Sequence, residues 1–150
     1  MPTEIPDLWD DDIKVDVLPP LVILRAQDEG IRRKTQGILR AAISTTVENE
    51  PDGSVWVSHE FGLVAPALGS QESLLTVGHA ERKLYPVQIF VPDEITWNDG
   101  KTISRSIRCY DPDEFIAQLR AALRSPPTKG SVSTLLALSN ESRLTNAAKS

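Results

Sequence analysis

Four stretches decide the fold: residues 38–48 read ILRAAISTTVE, 55–64 VWVSHEFGLV, 73–79 SLLTVGH and 85–91 YPVQIFV. In each, side-chain character alternates with a period of two, the pattern of a strand with one buried face. Leu39, Ala41, Ile43, Thr45 and Val47 alternate with Arg40, Ala42, Ser44, Thr46 and Glu48. Val55, Val57, His59, Phe61 and Leu63 alternate with Trp56, Ser58, Glu60 and Gly62. Leu75, Val77 and His79 continue the pattern, and Tyr85, Val87, Ile89 and Val91 complete it. Turn formers separate the stretches: Pro51-Asp52-Gly53, a break from Pro66 to Ser70, and Glu81-Arg82-Lys83.

The stretches can be tested against one another. If each loop joins adjacent antiparallel strands about its own midpoint, Val47 faces Val57, Thr45 faces His59 and Ile43 faces Phe61. The next pair sets His59 against His79, Phe61 against Val77 and Leu63 against Leu75, and the last sets Val77 against Val87. All of these fall on one face, and a slip of one residue would turn a whole strand over. The expectation is an antiparallel meander with one oily and one mostly polar face.

Helices flank the meander. Val17, Leu24, Ile31 and Ile38 recur every seven positions and Leu21 joins their stripe, which predicts a helix over 20–36. Pro20 suits its first turn and Gly37 the position after its end. Arg25–Glu29, Asp28–Arg32 and Glu29–Arg33 are spaced for i,i+4 pairing, so Arg32-Arg33-Lys34 reads as a solvated helix face. Beyond the meander, residues 93–101 with Asn98-Asp99-Gly100 read as a long loop and Ile103 to Ile107 as a short fifth strand. Asp111, Pro112 and Glu114 form an N-cap, first-turn proline and capping-box sequence ahead of the stripe Phe115, Ile116, Leu119 and Leu123. Arg120 and Arg124 suit its C-terminal dipole, and Pro126-Pro127 stop it. Val132, Leu135, Leu136 and Leu138 suggest a short third helix.

The expected fold class is therefore α+β: two layers, a four- to five-stranded antiparallel meander with helices packed on one face, in the order helix, strands, long helix, short helix. Residues 1–16 are expected to be a flexible acidic arm, 17–140 a single domain and 141–150 a frayed tail.

Composition agrees. The chain has 150 residues and 16.5 kDa, the size of one domain, with 40% hydrophobic and 25% charged residues. That balance excludes wholesale disorder. Its longest apolar run is as short as Leu21 to Leu24, which argues against a membrane span or membrane partner. The net charge of −5 lies in the first sixteen residues, where Glu4, Asp7, Asp10, Asp11, Asp12 and Asp16 face Lys14 alone. The rest of the chain is neutral, and no basic surplus suggests nucleic acid as a partner. Asp10-Asp11-Asp12 lacks the spacing of a calcium loop. A single cysteine, Cys109, and no leader-like segment at residues 1–7 suggest a cytoplasmic protein.

Three constellations merit a chemical reading. His59 and His79 fall on the oily face as cross-strand partners, with Thr45 opposite His59. Two imidazoles whose Cβ atoms are roughly 5 Å apart can share a proton or ligand, or simply satisfy each other at the core's edge. A zinc site wants a third protein ligand, so no metal and no cofactor are expected. Cys109 precedes a helix N-terminus, which lowers thiol pKa, but Asp111 and Asp113 oppose this and a buried structural thiol is favoured. Trp56, Leu74 and Phe90 fall on the otherwise polar sheet face and read as a partner-binding patch, unless the third helix or the 93–101 loop covers them. Trp9 and Trp97 lie in the arm and a loop.

No phosphate loop, dinucleotide-binding glycine pattern, nucleophile elbow or zinc-binding spacing is present. Two function classes remain. The favoured one is a small soluble non-catalytic protein–protein interaction module, a bacterial accessory of chaperone-like or immunity-type plan, binding another protein through the open sheet face or the acidic arm. The alternative is a small enzyme or ligand-binding domain with a pocket near His59 and His79. Oligomeric state is not legible.

Overall fold

The computed structural model describes residues 4–13, 16–96 and 102–148. Five strands form one sheet in the order β1-β2-β3-β4-β5, every neighbouring pair antiparallel. They are β1 (Arg40–Asn49), β2 (Val55–Ala65), β3 (Ser70–Ala80), β4 (Lys83–Thr96) and β5 (Thr102–Cys109). Helix α1 (Pro20–Lys34) precedes the sheet, and α2 (Pro112–Leu123) and α3 (Pro126–Ala148) follow it. The α+β class and the meander are as the alternation predicts. The expected 93–101 loop is shortened by β4, which runs on to Thr96, and its Trp97 and Asn98-Asp99-Gly100 lie outside the described residues.

The first hairpin keeps the expected register: Ile43 pairs with Phe61, Thr45 with His59 and Val47 with Val57. The second is offset by two. Phe61 pairs with Leu75, His59 with Val77 and Val57 with His79. An offset of two preserves every face, so Phe61, Val77 and Val87 are all buried on the helix side. On the loop side the pairing is offset by three, with Leu63 opposite Glu72, and a β-bulge between Phe61 and Gly62 takes back one residue, leaving Leu74 as the extra residue of β3. Gly62 makes the bulge possible, because a Cβ there would collide with the backbone carbonyl of Glu72. On β4, Val77 likewise meets Ile89 rather than Val87. Pro86 has no N–H for the ladder, and the register changes beside it.

All three helices contribute to one core with the inner sheet face: Ile23 and Leu24 from α1, Phe115 and Leu119 from α2, and Leu135 from α3, with Phe61, Leu63, Val77, Val87, Ile89 and Cys109. Helix α1 is tied to β1 through Asp28, whose carboxylate accepts from the Ala41 N–H at 2.9 Å and pairs with Arg32. The Arg32 hydrogen bond, joined by the Ala41 N–H, holds the Asp28 carboxyl below the usual range. Arg25–Glu29 and Glu29–Arg33 make no ion pairs. Helix α1 ends at Lys34, with Gln36 and Gly37 both at positive φ and the Gly37 N–H bonded to Arg32 O at 2.8 Å.

The capping box of α2 forms in a shifted version. Asp111 accepts from the Glu114 N–H at 2.8 Å, while Glu114 accepts from the N–H of Tyr110, one residue ahead of the cap. The two C-terminal helices reverse the expected lengths: α2 has 12 residues and α3 has 23. Pro126 and Pro127 do end α2, but they also occupy the first turn of α3, where a proline loses no intrahelical bond. The predicted fray from Glu141 is helical as far as Ala148, and residues 149–150 lie outside the described residues.

Candidate functional site

The two histidines meet, but diagonally: His59 and His79 approach with Nε2 atoms 3.3 Å apart. His59 Nδ1 lies 2.8 Å from Thr45 Oγ1, and His79 Nδ1 lies 2.7 Å from Ala80 O. These contacts fix the proton positions in the neutral pair. A carbonyl only accepts, so His79 Nδ1 carries a hydrogen and its Nε2 is a lone pair. His59 Nε2–H must then donate to His79, which leaves His59 Nδ1 to accept from the Thr45 hydroxyl. The chain Thr45 → His59 → His79 → Ala80 O therefore has one direction. The rings are sealed, with His59 and His79 4% and 5% exposed. They are core imidazoles that satisfy each other, and the large groove described below does not reach them.

Burial, then the neighbouring His79 and the Arg25 charge, push His59 below its ordinary value. The sign of the resulting pH dependence follows. A His with a lowered folded pKa contributes its stability above the unfolded value near 6.5, and loses it as pH falls through the folded value. The urea midpoint is expected to fall between pH 7 and pH 5, where carboxylates still contribute little. A His59→Phe variant should show a flatter profile over the same window. Equal profiles for the two proteins would contradict the assignment.

Cys109 is fully buried. Burial, reinforced by Glu114 and Asp111, pushes its thiol up to about 11. The helix N-terminus that suggested a nucleophile thus brings carboxylates that oppose one, and at neutral pH the group is a thiol. Among the described residues, no group of three or more His, Cys, Asp or Glu side chains is gathered as a metal site.

On the outer sheet face, Trp56 lies flat across Gly78, where a Cβ would sit 2.5 Å from the indole nitrogen. Phe90, paired with Thr76, shares that face. Neither packs against the core. Leu74 does not join them: as the extra residue of the bulge it turns to the helix side, 9% exposed. The expected three-residue patch is therefore two residues, and the third lines a different surface.

That surface is a groove of about 560 Å³ between the three helices, within the range of ligand and peptide pockets. Its floor is Phe61, Leu63 and Leu74, and its walls include Ile23 and Ile31 of α1, Ile116 and Leu123 of α2, and Val132 and Leu136 of α3. Gly30 keeps the α1 wall low, since nothing stands within 4 Å of where its side chain would begin. The bulge carries Glu72 to the same side, where its carboxylate accepts from the Ser131 hydroxyl of α3 at 2.6 Å. Among the described residues, every charged one lining the groove is a cation: Lys34, Arg120, Arg124 and Lys129. None has an acidic partner within salt-bridge distance among the described residues.

Sequence reasoning missed this site. Lys34 and the two arginines each have a local explanation, as a solvated face or a helix-dipole cation. Only their convergence from three helices separates them from ordinary surface charge. Among the described residues, no helix is long and apolar enough to cross a membrane. Comparison with protein-family models, curated proteins and solved structures finds no match to this chain.

Proposed function

We propose that this domain is a non-catalytic docking module whose interhelical groove takes an apolar segment of a protein partner flanked by carboxylates. One observation carries the reading: an open apolar groove whose charged lining is wholly cationic and unpaired. Apolar burial would supply affinity, while the four cations select against basic segments and speed encounter with acidic ones. An amphipathic helix with apolar residues three and four apart suits a trough walled by helices. The reading keeps the interaction-module class and moves its contact surface from the outer sheet face to the groove. A cytoplasmic setting fits the lone buried thiol.

The test uses two labelled synthetic helical peptides of about 16 residues, some 24 Å long. They share one leucine and tryptophan face, but one is flanked by glutamates and the other by lysines. Fluorescence anisotropy with the full chain should show the glutamate peptide binding at least about tenfold more tightly, with the preference screened by salt. Arg120→Glu with Arg124→Glu sets two carboxylates against Lys34 and Lys129 and should erase the preference. Equal binding of the two peptides by the native chain, or a preference that survives the charge reversal, would defeat the proposal.

A further inference from the structure

The groove has a complement within the same chain. Residues 5–13 read IPDLWDDDI, and their four large apolar side chains are the most exposed of those described: Ile5 at 88%, Leu8 at 85%, Trp9 at 77% and Ile13 at 68%. Ordinary surface residues are scattered singly, whereas these four are gathered in nine positions. Their spacing is i, i+3, i+4, i+8, which places them on one side of a helix. In the same helical projection Asp7 falls opposite the apolar arc, Asp10 and Asp11 flank it on either side, and Asp12 falls within it. The segment is acidic and apolar in the way the groove is cationic and apolar.

We infer that residues 5–13 are an internal ligand: they dock in the groove of their own chain as a short amphipathic helix and compete with the partner for it. The structure describes the undocked form, in which the segment bends at Trp9 and turns at Asp11–Asp12, held locally by Asx turns with Trp9 N–H on Asp7 and Asp12 N–H on Asp10. Dimensions permit the docked form. Nine helical residues span about 13.5 Å, and the α1 wall from Ile23 to Lys34 runs about 16.5 Å. Leu18 O accepts from the Tyr85 hydroxyl of β4 at 2.8 Å, so the free tether after Ile13 is residues 14–17, which reach about 13 Å when extended. Such a short tether sets the local concentration of the segment in the millimolar range, so its own groove is favoured over that of a second copy. Docking would remove Leu8 and Trp9 from water and bring Asp10 and Asp11, which flank the apolar arc, toward the cations that line the groove, Lys34, Arg120, Arg124 and Lys129.

The inference rests on the docking reading only in assigning the groove an acidic, apolar occupant, and its test needs no external peptide. In the full chain, Asp12→Cys places a thiol on the arc that would enter the groove, and Ser133→Cys places one on the α3 wall. Both positions are exposed, and the native Cys109 is buried. Under mild copper–phenanthroline oxidation, this pair should form an intramolecular disulfide at least about tenfold faster than Asp12→Cys paired with Thr46→Cys, which lies exposed on the other sheet face. Added Leu8→Ser and Trp9→Ser changes should erase the difference, and 0.5 M salt should reduce it. Equal rates for the two pairs would overturn the inference. Disulfide-linked dimers as the main product would overturn it in favour of exchange between copies. Peptide binding without the fast disulfide removes this inference alone, whereas the fast disulfide without peptide binding removes only the partner reading.

Discussion

Replacing Phe115 by alanine is expected to lower the stability of the domain by about 3–5 kcal/mol, the range for truncating a large, enclosed aromatic side chain. Phe115 is fully buried and belongs to the one cluster that joins all three helices to the sheet. It sits in the first turns of α2, just after the Asp111 cap, so its position is held from two directions: the cap orients the helix and the core fills around the ring. The loss divides into transfer of the ring to water and the cavity left behind, because members of the same core such as Leu24 and Val87 are themselves fully enclosed and relax little. For a chain of this size the melting temperature should drop by roughly 10 °C. Urea denaturation with an unchanged slope is the measurement that separates a cavity from a change in the unfolded state. A loss under about 1.5 kcal/mol would mean that the ring is not enclosed as described.

The second large effect comes from the smallest change. Gly62→Ala is expected to destabilise the protein by about 2–4 kcal/mol, through overpacking against backbone that cannot step aside. The added methyl would collide with the Glu72 carbonyl across the β2–β3 bulge. Relief requires the bulge to shift, and the bulge is what turns Leu74 onto the groove floor. The variant should therefore lose groove binding along with stability. Gly30→Ala is the internal contrast. It makes the same chemical change in the middle of α1, where nothing lies within 4 Å. There it should stabilise by about 0.5–1 kcal/mol, because alanine restricts the unfolded chain and favours the helix. Opposite signs for one substitution, read by the same denaturation curves, would establish that local space decides the outcome. Equal effects at the two sites would refute the bulge geometry.

The strands and their faces were legible because a period of two is a local signal, repeated four times and cross-checked by the turns between. The N-terminus of α2 was legible for the same reason: Asp111, Pro112 and Glu114 act within one turn of backbone. Register was less so. The midpoint of each loop located the β1–β2 pairing correctly, but the β2–β3 turn closes earlier than its midpoint, with the bulge at Leu74 taking back one residue, and the β3–β4 register changes beside Pro86, so the next two pairings stand two residues from expectation. The length of α3 escaped because its apolar stripe weakens after Leu138 while its backbone continues helical. Periodicity reports which side of an element is buried, not how far a polar helix extends.

The candidate sites divide along the same line. Alternation by itself determined that His59 and His79 share the inner face, and that Trp56 and Phe90 share the outer one. The count of charged residues by itself determined that the net negative charge lies in residues 1–16. Only the tertiary structure decided that the two imidazoles form a sealed, one-directional hydrogen-bond chain, and that Leu74 crosses to the helix side. The groove belongs wholly to that second category. Lys34, Arg120 and Lys129 belong to three different helices, and side chains so far apart along the chain become neighbours only when those helices pack on one sheet. Pattern along a strand or helix carries information about the few residues within reach of one another. A site assembled from three elements depends on their relative placement, and that is set by the whole core at once.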